Sequence, residues 1–285
     1  MTRQPHIARR AEELLGSAVA ATAPVAGGDI STATKLRLSS GRSAFMKTLT
    51  NAPAGFFEAE AAGLRWLGEA GGVQVPEVLA VESDCLILEW VEPGKLTTEA
   101  ATDFGRALAK THDAGAPAYG LERDGFIGRL PLPNKTAPTW AEFYATKRVL
   151  PYLKLARDRG SVTPEGADLV ESIIGKLPDL VPEEGPRRLH GDLWNGNVIW
   201  THDAGCCVID PAAHGGHRET DLAMLALFGL PHLPRVLQAY EEVSPLADGW
   251  PDRVGLHQLH PLLVHASLFG GGYGARAAEV ASRYA

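Results

Sequence analysis

The sequence predicts an α+β protein of two unequal lobes. A small N-terminal lobe of antiparallel sheet plus helix is expected over residues 1–91, and a larger, mainly helical lobe over 92–285. Three observations carry this reading. Strand-type alternation dominates the first third of the chain, and a Pro93-Gly94 pair closes it. Helical spacing dominates afterwards. Within that helical part lies a polar cluster, "LHGDLWNGNVIW" at 189–200, flanked by strand-like runs.

The elements follow in order. The first residues, "MTRQPHIARRAEELLGSAV", read as an amphipathic helix with Ile7, Ala11, Leu14 and Leu15 on one side. "TKLRLS" (34–39) and "SAFMKTLT" (43–50) alternate on either side of Gly41 and read as a hairpin. "FFEAEAAGLRWLGEAGG" has helical spacing, with Phe56, Ala59, Leu64 and Leu67 expected to face one way and Gly71-Gly72 to end it. "PEVLAVESDCLILEWVEPG" gives two short strands around Ser83-Asp84, followed by the connector Glu89-Trp90-Val91-Glu92. Residues 97–114 then read as a helix. "TWAEFYATKRVLPYL" opens with a capping box, Thr139 and Glu142. "TPEGADLVESIIGKL" has Thr163 as N-cap and Pro164 at the first helical position. Strand-like pieces return in "NVIW" and "CCVID", and the chain from Glu219 onward is helical again.

Length and composition exclude several classes. At 285 residues, with 45% apolar and 21% charged residues, the chain can bury a full core. Its net charge of −7 and the lack of a basic stripe argue against nucleic acid as a partner. The longest apolar run, "LAMLALFGL", is too short to span a bilayer, so no membrane role is expected. The N-terminus lacks the apolar core of a signal peptide. Cys85, Cys206 and Cys207 form an odd set without metal-ligand spacing, which points to packing roles and a reducing, cytoplasmic setting.

The polar cluster carries the chemistry. Asp192 and Asn197 are five residues apart, and Asp210 follows at the end of "CCVID". Protein kinases use this layout: a loop Asp as base, an Asn five residues on, and a strand-end Asp, the last two holding magnesium on the nucleotide phosphates. Mg²⁺ is a hard ion that keeps several waters, so one carboxylate and one amide oxygen suffice beside phosphate oxygens. A second carboxylate, free of metal, must receive the proton of the acceptor hydroxyl. Upstream, Lys47 lies inside a predicted strand between Phe45 and Leu49 and needs an anionic partner. Glu60 on the following helix supplies one, with Glu58 as its rival because helix phase is not fixed by one sequence. "GGDIST" (27–32), with Gly28 and Ser31, precedes the hairpin and offers backbone N–H groups to phosphates.

On "GGDI", Lys47, "FFEAEAAGL", "LILEWV", "FIGRLPLPN", "LHGDLWNGN" and "VIDPAAHGGHRETDLAM", the chain resembles the fructosamine kinase (ketosamine-3-kinase) family, in the aminoglycoside phosphotransferase-like branch of the kinase fold. The resemblance covers nearly the whole chain. It implies a two-lobed kinase-like fold, ATP and Mg²⁺ as cofactors, and phosphorylation of the sugar 3-hydroxyl of a ketoamine, small or protein-bound, in a deglycation repair role. It implies Asp192 as proton acceptor, Asn197 and Asp210 on magnesium, and adenine hydrogen-bonded by the backbone of Glu89, Trp90 and Val91. Ser31 stands where the family usually has Asn. The triplet Asp210-Pro211-Ala212 replaces the Asp-Phe-Gly of protein kinases.

Two local features separate a metabolite kinase from a protein kinase. Gly191 stands where protein kinases carry an Arg, and eleven positions from Asp210 to Asp221 leave no room for an ordinary activation loop. His190 is expected to orient the loop by hydrogen bonding rather than to perform chemistry. Asp221 is expected to brace the same loop or to cap its helix. Trp194 is expected either to stack on the acceptor or to pack in the core. The pairs His214/His217 and His257/His260 have metal-like spacing but lack a third ligand in sequence. Two rival functions share the motif: a kinase of another small molecule, such as an aminoglycoside or amino alcohol, and a nucleotide-binding pseudokinase that regulates a partner. The second would lack a catalytic Lys, Asp or Asn, and none is missing.

Overall fold

In the computed structural model, residues 4–26, 30–202 and 205–285 are described. Helix α1 (Gln4–Leu15) leads into a five-stranded antiparallel sheet. Its strands are β1 (Val19–Pro24), β2 (Thr32–Leu38), β3 (Ser43–Thr48), β4 (Val78–Glu82) and β5 (Cys85–Glu89), in spatial order β1-β2-β3-β5-β4. Helix α2 (Phe56–Glu69) lies between β3 and β4 in sequence. Alternation along β3 explains how the sheet is covered on both faces. Ala44 and Met46 pack with Ile7 and Ala11 of α1, while Phe45 packs with Phe57, Ala61 and Leu64 of α2. Lys47 has the same parity as Phe45 and so faces α2.

Two features of this region differ from the sequence expectation. The buried stripe of α2 is Phe57, Ala61, Leu64 and Leu67; Phe56 and Ala59 are only partly buried. Both phases offer apolar residues, and the sheet selects the one that places Phe57 against Leu86 and Leu88. Strand β1 was not expected. Its sequence, VAATAP, has no buried residue, and its pairing with β2 is what makes it a strand.

The remainder is helical with short hairpins. Helix α3 (Thr98–Asp113) is capped by Thr97, whose side chain accepts from the Ala100 N–H at 3.1 Å. A small hairpin follows, β6 (Gly125–Ile127) and β7 (Leu130–Leu132). Thr139 caps α4 (Trp140–Phe143), its hydroxyl accepting from the Glu142 N–H, which is one of the two bonds of the expected capping box. The helix widens to a π-turn at Tyr144–Val149 before α5 (Leu150–Asp158). Pro151 lacks an N–H and would clash with the carbonyl four residues back, which the wider turn relieves. Helices α6 (Pro164–Ile174) and α7 (Leu177–Leu180) precede strand β8 (Arg187–Leu189). Thr163 and Pro164 take the expected N-cap and first-turn places. Strands β9 (Val198–Trp200) and β10 (Cys206–Val208) form a hairpin, and β11 (His214–Gly216) pairs with β8. Helices α8 (Glu219–Leu227), α9 (Leu233–Val243), α10 (Trp250–Phe269) and α11 (Tyr273–Ser282) complete the chain. Among the described residues no helix is long and apolar enough to cross a membrane.

The β9–β10 hairpin touches the first part of the chain twice. The Val208 N–H donates to the Gln74 carbonyl at 2.9 Å, and the Gly94 N–H donates to the Trp200 carbonyl at 2.7 Å. Helix α2, the β5 connector and the loop after β8 are thereby held around one cleft.

Candidate active site

Lys47 is buried on β3, and its ammonium lies 2.7 Å from Glu60 Oε1 and in direct contact with Asp210 Oδ1. Glu60 therefore is the glutamate within reach, whereas Glu58 points to solvent. Burial alone would lower the Lys47 pKa, but the two carboxylates outweigh it and hold the ammonium charged. Asp210 adopts φ 56°, a left-handed conformation that Asp tolerates better than most residues. This turn ends the β10 segment and directs its carboxylate at Lys47.

The loop 190–197 is pinned from three sides. The Asp221 carboxylate, at the start of α8, accepts the His190 N–H at 2.8 Å and the Gly191 N–H at 2.9 Å. It also meets His112 Nε2 at 3.2 Å, and His112 Nδ1 meets the Tyr240 hydroxyl at 2.8 Å. Burial alone would raise the Asp221 pKa; the His112 hydrogen bond and nearby histidines bring it below the usual carboxylate value. His190 Nε2 donates to the Ile209 carbonyl at 2.9 Å, and its Nδ1 accepts the Asp192 N–H at 3.2 Å. Burial keeps that imidazole neutral. His190 thus ties the loop to the residue before Asp210. Gly191 has φ +82°, and a Cβ there would lie 2.2 Å from the Ala212 carbonyl oxygen. An Arg at this position is sterically excluded.

Asn197 Nδ2 donates to the Asp192 carbonyl at 2.8 Å and to its carboxylate Oδ2 at 3.3 Å. Its amide oxygen is thereby left for another partner. The Ile209 N–H donates to the Asn197 carbonyl at 3.0 Å, which sets the Asn197 and Asp210 segments side by side. An amide oxygen and a carboxylate held together form a donor set that suits a hard divalent cation with waters. Asp192 is half-buried, and burial together with the Asp210 carboxylate pushes its pKa up to about 7.

The connector places Glu89, Trp90 and Val91 along a cavity of about 300 Å³, whose opposite wall includes Gln74, Pro76 and Thr201. The Glu89 and Trp90 N–H groups are used by Glu77 and Ser43 carbonyls, and the Val91 N–H has no hydrogen bond among the described residues. Lys35 stacks over the Trp90 ring at 3.9 Å. Ser31 immediately precedes β2; Gly28 lies outside the described residues. Trp194 is 38% exposed, and its ring covers Gly196, where a Cβ would come within 2.4 Å of it.

Sequence reasoning missed the His112–Tyr240 support of Asp221, since neither residue stands near a motif. It also treated the histidine pairs as pairs. In the fold His217 and His257 come together with Glu219, all three buried, with ligand atoms within 4.8 Å of one another. Arg253 engages both Glu219 oxygens, at 2.6 and 3.0 Å, so that carboxylate is neutralised by an ion pair. His214 and His260 instead bond the backbone carbonyls of Ala212 and Arg148.

The chain is similar to several known proteins along most of its length. A protein of Enterococcus faecium named "Probable ketoamine kinase" is 34% identical over 267 residues, covering 92% of this chain and 94% of its own. The chloroplastic protein-ribulosamine 3-kinase of Arabidopsis thaliana is 33% identical over 270 residues, covering 91% and 81%. The crystal structure of a candidate fructosamine-3-kinase from Thermobifida fusca superposes with a TM-score of 0.93 at 51% identity, covering 98% of each chain. The family model for fructosamine kinase matches residues 3–284, and the chain belongs to that family.

Proposed function

We propose that the protein is an ATP-dependent kinase that phosphorylates the sugar 3-hydroxyl of ketosamines, with residues 1–91 gripping the nucleotide and 92–285 supplying the acceptor site. The observation that carries this reading is the convergence of Lys47, Glu60, Asp210, Asn197 and Asp192 on one cleft. Family membership supports the substrate class.

Each residue has a physical task. Lys47, held by Glu60, presents a fixed positive charge to phosphate oxygens. The Glu89 carbonyl and the free Val91 N–H, spaced along the connector, suit the hydrogen-bonding edge of adenine, with Trp90 beside them. Ser31, just before β2, is suited to reach the phosphates, and Gly28, which precedes it in sequence, is assigned there from the sequence alone. The amide oxygen of Asn197 and the carboxylate of Asp210 would hold Mg²⁺, which when bound neutralises charge on the transferring phosphoryl group. Asp192 accepts the proton of the acceptor hydroxyl and aligns its oxygen. A carboxyl with a pKa near 7 matches that task at neutral pH. Asp221 and His190 keep the loop in register, and Trp194 receives the acceptor. Catalysis is therefore mostly positioning and electrostatics. All three cysteines are buried and unbridged, which suits a reducing cytoplasm.

The test is an ATP-consumption assay across fructose, ribulose and erythrulose adducts of amines, with aminoglycosides and choline as competitors for the reading. Phosphorus NMR of the product should place phosphate on the sugar 3-oxygen. Turnover of an aminoglycoside or amino alcohol in preference to every ketosamine would assign the site to that rival class.

A further inference from the structure

Four large apolar side chains are exposed among the described residues, and two of them, Trp194 and Phe269, stand at opposite ends of one run of rings. Trp194 packs edge-on against Phe228 with centroids 5.8 Å apart. Phe228 lies 4.9 Å from His265, and His265 lies 5.6 Å from Phe269 and 5.1 Å from Tyr273. The run joins the loop after β8, the end of α8 and the last turn of α10, three segments remote in sequence.

The location of the far end is fixed by the β6–β7 turn. A Cβ placed on Gly128 would lie 3.0 Å from Leu268 and 3.3 Å from Ile30, so the last turn of α10 and Ile30 both pack on the β6–β7 turn. Arg129 clamps the same place by donating to the Ile30 carbonyl at 3.1 Å. The rings start two residues from Asp192 and end at Phe269 in the last turn of α10. Through Trp194 the run adjoins the catalytic loop, and none of its rings lines the cavity at the connector. His265 does not supply a charge to this wall. Its Nδ1 bonds the Pro261 carbonyl at 2.7 Å, and burial lowers its pKa, so it presents a neutral ring.

We infer that the Trp194–Phe228–His265–Phe269 wall is an aglycone subsite, which binds an apolar or aromatic group on the amine that carries the sugar. This rests on the ketosamine kinase reading and deepens it. The sugar and its protonated secondary amine occupy the Trp194 end, where a ring face attracts a cation. The amine substituent then continues over Phe228 towards Phe269. The four rings carry no charge, so the wall itself favours an apolar substituent over a charged one. Phe269 packs on the His265 ring yet stays 56% exposed, and a stacked substituent covers more of it.

The experiment compares two fructose adducts that differ only in the amine, phenethylamine and glycine, under the same Mg-ATP conditions. The wild-type protein should prefer the phenethylamine adduct in kcat/KM by about three- to tenfold, the range of one aromatic contact. Phe269→Ser, at an exposed helix end where folding is not at stake, should bring that ratio towards one while KM for ATP stays unchanged. Phe269→Tyr should retain the preference. Equal kcat/KM for both adducts in the wild type, or an unchanged ratio in Phe269→Ser, would overturn the subsite. Turnover of neither adduct would overturn the ketosamine reading itself, and with it the subsite.

Discussion

Replacing Asp221 with Asn should cripple both the stability of the protein and its turnover, and the size of the effect follows from the bonds it makes. The carboxylate is fully buried and accepts two backbone N–H groups, from His190 at 2.8 Å and Gly191 at 2.9 Å, while His112 Nε2 approaches at 3.2 Å. An Asn side chain has one acceptor oxygen and turns an NH₂ group towards the other donors. At least one backbone N–H is then buried without a partner. Hydrogen bonds to a charged acceptor contribute about 1.5–3 kcal/mol each, so losing one or two costs about 2–6 kcal/mol. Domains of this kind have about 5–15 kcal/mol in total, so the variant should fold but unfold at clearly lower urea. The loop 190–192 also loses its anchor, and Asp192 moves relative to the acceptor. A misplacement of about 1 Å can cost about 100-fold in rate. Urea unfolding followed by tryptophan fluorescence measures the first effect, and steady-state kinetics at saturating ATP and ketoamine measures the second. KM for ATP should change little, because the connector is untouched. A variant within about 1 kcal/mol of wild type and with normal kcat would refute the bracing role.

Asp192→Asn should retain Mg-ATP binding and lose about 10²–10⁴-fold in kcat, as expected when a general base is removed; near-normal turnover would remove it from the chemistry. Asp210→Asn should raise the Mg²⁺ concentration needed for half-maximal activity more than it raises KM for the ketoamine, which a metal titration reads directly. Trp194→Ala should raise KM for the ketoamine about tenfold, equivalent to about 1.4 kcal/mol, with KM for ATP unchanged; a defect confined to ATP would return it to a packing role. Acid should destabilise the fold early. Burial lowers the pKa values of His214 and His217 to about 3 from an ordinary 6.5, so between these limits the unfolded chain binds protons that the folded chain refuses. Stability is full above about pH 6.5 and falls as pH drops towards 3. Two histidines at about 1.4 kcal/mol per pH unit each give a loss of about 5 kcal/mol by pH 4.5. Thermal unfolding at pH 7.5 and 4.5 should show a large drop in Tm, and a flat profile would contradict the burial of neutral imidazoles.

Much of the site was legible because its requirements are chemical and local. Asp192, Asn197 and Asp210 lie within nineteen residues, and His190 bonds Asp192, two residues on, and Ile209, next to Asp210. Caps were legible for the same reason: Thr139 and Thr163 act on N–H groups three residues away. The phase of α2 was not legible, because Phe56 and Phe57 offer two apolar stripes and only the sheet decides between them. The choice between Glu58 and Glu60 fell with it. Strand β1 was hidden because its small and polar residues carry no burial pattern, and its order comes from the neighbouring strand alone.

The same distinction separates reaction type from substrate. Phosphoryl transfer needs a lysine, a base and oxygen ligands at set distances, and a short loop beside a hairpin can fix them. An acceptor is chosen by the shape and charge of a wall, and that wall is made of residues that meet only after folding. Trp194, Phe228 and the His265/Phe269 pair on α10 come from three segments more than thirty residues apart in sequence, yet each ring is within about 6 Å of the next. Only His265 and Phe269, one helical turn apart on α10, have a spacing that a sequence reader could use, and nothing local joins them to Trp194 or Phe228. Substitutions along that wall can therefore change the accepted amine while leaving the catalytic loop intact. Two proteins with the same "HGDLWNGN" loop can then differ in the glycated amine they take, and the residues to compare first between them are those aligned with Phe228 and Phe269.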